Sequence, residues 1–244
     1  DTAALGLHTW TDTKSADAVE EIVKCYAYIQ ENNQFSDQRQ KTKEKINFIW
    51  SSVILYLLRP KSKGVKSYTQ LCNLLLETLQ QVSLDYPFPD PHYLALLFFW
   101  PFSPQQTEIR TYVTAIRKSS QKRLSIFRKR STVSHFYLGN ENELARLVSK
   151  PKLDECFTKL HRNDLAKLWL TGDIFREREI TSRLQRVTGL IEVGEVYAIY
   201  GKLKIPVRPA YIGATRRGLS TEKVSFYIGF AINGPLAYDI QFEN

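Results

Sequence analysis

Seven positive side chains fall within 14 residues: Arg117, Lys118, Lys122, Arg123, Arg128, Lys129 and Arg130. No acid interrupts them, and Leu124, Ile126 and Phe127 are interleaved. On a helix, Lys118, Lys122 and Arg123 share one face, where like charges repel unless an anion lies near. A nucleic-acid phosphate backbone would supply that anion, and binding would then weaken steeply with salt. The same residues can equally be read as a face docked on an acidic protein surface, or as a solvated helix end.

Other constellations offer less chemistry. His8, His92, His135 and His161 are scattered, and none stands near a Cys or Ser with a carboxylate at the spacing of a nucleophilic triad. Cys25, Cys72 and Cys156 are odd in number and far apart, with no Cys-x-x-Cys pair, so neither a disulfide framework nor a zinc site is expected. Glu177-Arg178-Glu179 resembles an acid pair, but consecutive helix positions diverge, and the alternating signs read as a solvated face. No phosphate-binding Gly-rich loop is present. The expectation is a chain with no catalytic residues, no metal, no cofactor and no small-molecule substrate.

The elements that must carry these residues follow from periodicity. At 244 residues, 43% of them hydrophobic, the chain can bury one large core or two modest ones. Ala16 to Glu31 and Gln38 to Leu58 read as an antiparallel helix pair, and Tyr68 to Val82 as a third helix. Pro91 to Trp100 is a short and almost wholly apolar fourth, and a fifth starts near Pro104. Beyond Gly172 a polar helix from about Ile174 to Val187 leads into Val193–Tyr200, Leu203–Tyr211, Val224–Ile232 and Leu236–Phe242. These runs are rich in Val, Ile, Tyr and Phe, as strands are, and they imply a closed barrel or compact α+β domain. Val224, Phe226, Ile228 and Phe230 fall on one strand face, with Ser225, Tyr227, Gly229 and Ala231 on the other. Pro206 and Pro209 make Leu203 to Tyr211 an edge or bulged strand.

Charge is unevenly placed. Residues 1–110 carry 11 basic and 12 acidic side chains, residues 111–188 carry 17 and 8, and residues 189–244 carry 6 and 5. The whole net charge of +9 therefore resides in the middle. The apolar runs at 46–58 and 94–100 fall short of the ~20 residues that a membrane-spanning helix needs, so no membrane insertion is expected. Asp1-Thr2-Ala3-Ala4, with neither initiator Met nor secretory leader, reads as a cut within a longer protein.

Several segments carry a family likeness. These are Trp169 with Gly172-Asp173, Leu184 with Thr188-Gly189, Lys204-Ile205-Pro206-Val207 and Tyr211 with Gly213. Above all there is Val224 to Phe230, followed by Gly234-Pro235-Leu236-Ala237-Tyr238-Asp239-Ile240. With Phe98-Phe99-Trp100-Pro101 and Phe136-Tyr137-Leu138-Gly139 upstream, they resemble the C-terminal end of the sterile alpha motif domain-containing protein nine and nine-like family. The resemblance implies a cytoplasmic, interferon-linked antiviral and antiproliferative protein that represses translation. It also implies an order of parts: sterile alpha motif, Alba-like nuclease domain acting on transfer RNA, P-loop domain, tetratricopeptide-like helices and a terminal oligonucleotide/oligosaccharide-binding (OB) barrel. This chain resembles the last two, and neither the nuclease carboxylates nor the nucleotide loop finds a match in it.

In such a barrel Tyr197, Tyr200, Tyr211, Tyr227 and Tyr238 could stack bases, and Lys202, Lys204, Arg208, Arg216 and Arg217 could hold phosphates. A net charge of only +1 over residues 189–244 argues against it, as does the number of aromatics needed to fill a small barrel. The expected architecture is α+β multidomain: tetratricopeptide-like helices over residues 1–160, then an OB-like domain with a leading helix over 161–244. Two functions stand. One is a non-catalytic binding module that contacts RNA, transfer RNA or viral, through its basic patch. The other is a docking module for partner proteins or other domains of the parent, linked to endosomal trafficking, without nucleic acid. Whether residues 117–130 share a surface with Lys202, Lys204 and Arg208 discriminates between them.

Overall fold

The computed structural model describes residues 77–84, 90–101, 107–122, 136–140, 147–211 and 220–243. The helix pair read over 16–31 and 38–58, and with it the tetratricopeptide-like stacking, lies outside them. Helix α1 is Asp90–Phe99 and α2 is Thr107–Lys122, as their apolar spacing predicts. Three-residue strands β1 (Phe136–Leu138) and β2 (Leu147–Ser149) follow, then α3 (Lys150–Asp154), α4 (Arg162–Thr171) and the four-residue α5 (Arg178–Thr181).

Five longer strands close on themselves. β3 (Arg186–Glu192), β4 (Glu195–Tyr200) and β5 (Leu203–Pro209) form an antiparallel meander. β6 (Glu222–Ala231) returns antiparallel beside β3, and β7 (Gly234–Phe242) forms a hairpin with β6. β7 then meets β5 in parallel at Arg208↔Leu236 and Pro209↔Ala237, which completes a five-stranded barrel. The chain is thus α+β with a closed C-terminal barrel. β1 pairs with β6 at Phe136↔Phe230 and Tyr137↔Gly229, beyond the start of β3, so β1 and β2 extend the same sheet. β5 pairs with β4 at Leu203 to Val207 and with β7 only at Arg208 and Pro209, so Pro206 and its missing N–H lie where the second ladder has not begun.

The alternation read in β6 holds, with both faces buried. Val224, Phe226, Ile228 and Phe230 enter the barrel core, while Tyr227 faces a second cluster with Tyr137, Phe175 and Tyr238. The first core runs without a break into the helices, through Leu96, Trp100, Ile109, Val113 and Ile116. Trp100 packs edge-on to Phe230 with centroids 5.5 Å apart and donates from Nε1 to the Tyr200 hydroxyl at 2.9 Å. The Tyr93 hydroxyl donates to the Phe230 carbonyl at 3.2 Å. These contacts join α1 to the barrel across the boundary at residues 160 and 161.

The helix read from Ile174 to Val187 is not one helix. It divides into a 3-10 turn at Asp173–Arg176, the short α5, and a strand that begins at Arg186. Ile174, Phe175, Ile180 and Leu184 are all buried, so packing under the barrel rather than helical propensity shapes the segment. The leading helix is α4 instead. His161 caps it by accepting from the Asn163 N–H, and Gly172, at φ +85°, ends it in the left-handed conformation. A Cβ at Gly172 would lie 2.7 Å from the Tyr211 ring, whose hydroxyl donates to the Trp169 carbonyl.

Candidate functional site

Helix α2 packs against β5 and β7, with Ile116 close to Gly234 at the start of β7. One turn of α2 thereby lies beside the barrel mouth. Arg117 and Ser120, spaced by a single turn, point there. On β5 the period of two sends Ile205 and Val207 into the core and Lys204, Pro206 and Arg208 outward. Arg117, Ser120, Pro206, Arg208 and Pro209 line one open cavity of about 270 Å³, completed by Gly194, Glu195 and Val196 at the start of β4.

Both guanidiniums are half-buried, and each keeps a buried Nε–H without a partner. Such a donor costs about 1–3 kcal/mol while nothing accepts from it. Arg208 Nη2 donates to the Asn233 carbonyl at 2.8 Å, which fixes its side chain against the β6–β7 turn. Burial lowers the pKa of Arg117, opposed by the Glu195 carboxylate and by Tyr197. Burial also lowers that of Arg208, and the neighbouring Arg117 charge lowers it further. Arginine starts so high that both remain charged. Two like charges therefore face one cavity, with Glu195 at its rim as the opposing charge. Glu195 Oε2 accepts from the Tyr197 hydroxyl at 2.6 Å, and this bond, more than burial, raises the tyrosine's pKa.

The residues singled out by sequence are distributed unevenly. Arg117 and Arg208 meet. Lys118 is exposed on α2, and Lys202 is exposed in the β4–β5 turn, six residues along the strand from Arg208 and so about 20 Å away. Lys204 forms an ion pair with Glu192 at 2.5 Å. The side chain of Lys122, and Arg123, Arg128, Lys129, Arg130, Arg216 and Arg217 entirely, lie outside the described residues. Of the aromatics, Tyr227 and Tyr238 are buried in the second cluster. Tyr200 accepts from Trp100, and Tyr211 is held by Trp169 and packs edge-on to Tyr238. Tyr197 alone of the five stands beside the cavity, next to Glu195. Ser120, Glu195 and Asn233 were not singled out by sequence; the three-residue step from Arg117 could have found Ser120, and nothing local marks the other two.

His92 is buried in α1 at 1% exposure, with neither ring nitrogen partnered, and burial lowers its pKa from 6.5 to about 4. Its ring lies 5.9 Å from that of Tyr112, whose own pKa burial pushes up to about 12. Cys156 is a free thiol beside Arg183 Nη1 at 3.2 Å. Among the described residues no helix is long and apolar enough to cross a membrane.

The fold and this cavity define an α+β segment built around a small closed barrel, with a dibasic pocket where a helix meets the barrel mouth. The chain is 40% identical over 209 residues to human Sterile alpha motif domain-containing protein 9, covering 82% of this chain and 13% of that protein. It is 37% identical over 238 residues to human Sterile alpha motif domain-containing protein 9-like, covering 93% of this chain and 15% of that protein. The mouse 9-like protein is 35% identical over 239 residues, again 93% of this chain and 15% of the relative. The segment belongs to the sterile alpha motif domain-containing protein 9 and 9-like family, and it spans only 13–15% of the length of these relatives. No family model matches the chain, and no solved structure matches it.

Proposed function

We propose that this segment is a non-catalytic module that holds RNA by its phosphates, within a cytoplasmic effector of antiviral defence and growth restraint that represses translation. The observation that carries the reading is the meeting of Arg117 from α2 with Arg208 from β5 in one cavity. One cation of the basic helix thereby lies beside one cation of the barrel, which supports the reading. The barrel's connections support the reading as well. A three-stranded meander closed by a hairpin whose last strand runs parallel to the third is the arrangement of an OB-like barrel. In such barrels the second and third strands, with the loops at their mouth, face the oligonucleotide. Here those strands are β4 and β5, and the cavity lies between them and the β6–β7 turn.

The mode of contact differs from a stacking groove. Tyr200, Tyr211, Tyr227 and Tyr238 are engaged in packing, so bases find little platform, and α2 covers part of the face. Contacts directed at phosphate remain, and these are insensitive to sequence and sensitive to salt. The test is a salt series of RNA binding by the whole chain, alone and with Arg117→Glu and Arg208→Glu together. The reversal should weaken binding by about tenfold or more and flatten the salt slope by roughly 1 to 2. Unchanged affinity would favour the other reading, a docking module for proteins. That reading has its own observation, the exposure of Leu170 at 79% on α4 with Leu160 at 40% just before it.

A further inference from the structure

The cavity is small, and that bears on which phosphate it accepts. A strand threading past a site needs a groove open at two ends, whereas α2 lies against both β5 and β7 and interrupts the face. The guanidiniums come from different elements, one from a helix and one from a strand, so an anion in the cavity can be held by both. An interior phosphodiester carries one negative charge. A terminal phosphomonoester approaches two near neutral pH and presents three free oxygens.

We propose that the pocket between α2 and the barrel is a receptor for a terminal phosphomonoester, with Arg117 and Arg208 as its two anchors. The shared chemistry is that of a mononucleotide or of a phosphorylated strand end. A volume of about 270 Å³ is room enough for the phosphate with its attached nucleoside. With both Nε–H groups buried and Arg208 Nη2 bonded to Asn233, the phosphate would be met by Arg208 Nη1 and by the Nη groups of Arg117. Glu195 at the rim opposes the anion and limits its affinity, held in place by the Tyr197 hydroxyl. The inference deepens the RNA reading in the strand-end case and stands apart from it in the mononucleotide case.

The experiment uses the whole chain and three probes: adenosine monophosphate, a short 5′-phosphorylated RNA, and the same RNA with a 5′-hydroxyl. The phosphorylated RNA should bind about tenfold more tightly than the hydroxyl form, and adenosine monophosphate should compete for the difference. Arg208→Gln should bring the two RNA affinities together. Glu195→Gln, an exposed change that leaves the fold alone, should tighten both phosphorylated probes. If adenosine monophosphate binds and neither RNA does, the receptor stands and the RNA reading fails. If both RNAs bind equally and adenosine monophosphate does not compete, RNA binding stands and the monoester receptor is overturned. A Glu195→Gln variant with unaltered affinity for the phosphorylated probes would also overturn it.

Discussion

Arg186 Nη1 donates to Asp239 Oδ2 at 2.8 Å, and its Nη2 donates to the carbonyl of the same residue. Asp239 sits at φ +49°, where the β6–β7 register shifts between Ser225 and Tyr227. The sequence marks Asp239 as out of place in a strand and leaves its partner to a nearby turn or to Arg216. The partner is Arg186 at the start of β3, which also bonds Ser225 and lies 4.6 Å over the Tyr227 ring. Asp239→Ala should destabilise the chain by about 2–3 kcal/mol, through the lost charge-assisted bonds and an unfavourable backbone. Asp239→Gly should melt higher than Asp239→Ala, since glycine tolerates positive φ. The reverse order in thermal melts would remove the backbone from the explanation.

Phe226 is fully buried, and the strand beside it is shaped to admit it. A Cβ at Gly189 would lie 2.3 Å from the Phe226 ring and 2.5 Å from the Tyr197 carbonyl oxygen. Phe226→Ala should cost about 3–5 kcal/mol. Because α1 and α2 share this core, their helical signal should be lost with the barrel in one transition. Separate transitions would mean that the helices fold without it.

The Trp100–Tyr200 bond tests the same junction more gently. Trp100 is 1% exposed, so Tyr200→Phe leaves its Nε1–H buried and unpartnered. The expected loss is about 1–3 kcal/mol with a shifted tryptophan emission, and an unchanged melting curve would show the bond to be dispensable.

His92 gives the pH dependence a direction. Burial holds its pKa at about 4 in the fold against 6.5 outside it, so the unfolded chain takes up the proton first as pH falls. The stabilisation is complete above about pH 6.5 and is lost as the pH falls towards 4, by up to roughly 3 kcal/mol. Melting temperature should therefore fall less steeply between pH 7 and 4 in His92→Leu than in the parent. Parallel slopes in the two proteins would contradict a neutral buried imidazole.

What the sequence discloses here is local. The apolar run of α1, the period of α2 and the alternation in β6 are legible because each follows from neighbours along the chain. β3 is hidden for a physical reason: Gly189 at its centre weakens the strand pattern, yet the Phe226 ring requires it. The segment from Ile174 to Val187 reads as a helix because its buried residues answer to a core that the sequence does not display. The same holds at the site. Arg117 and Arg208 are visible as cations 91 residues apart, but their convergence depends on α2 crossing the barrel mouth, a tertiary event.

Whether Arg117 and Arg208 grip one phosphate together is answered directly by a double-mutant cycle. Binding of a short 5′-phosphorylated RNA is measured by fluorescence anisotropy for the parent chain, Arg117→Gln, Arg208→Gln and the pair. Each single change should weaken binding by about tenfold, and the double should be little weaker than the worse single, because the second arginine has lost its shared anion. Losses that simply multiply, or affinities that neither change moves, would contradict a common site.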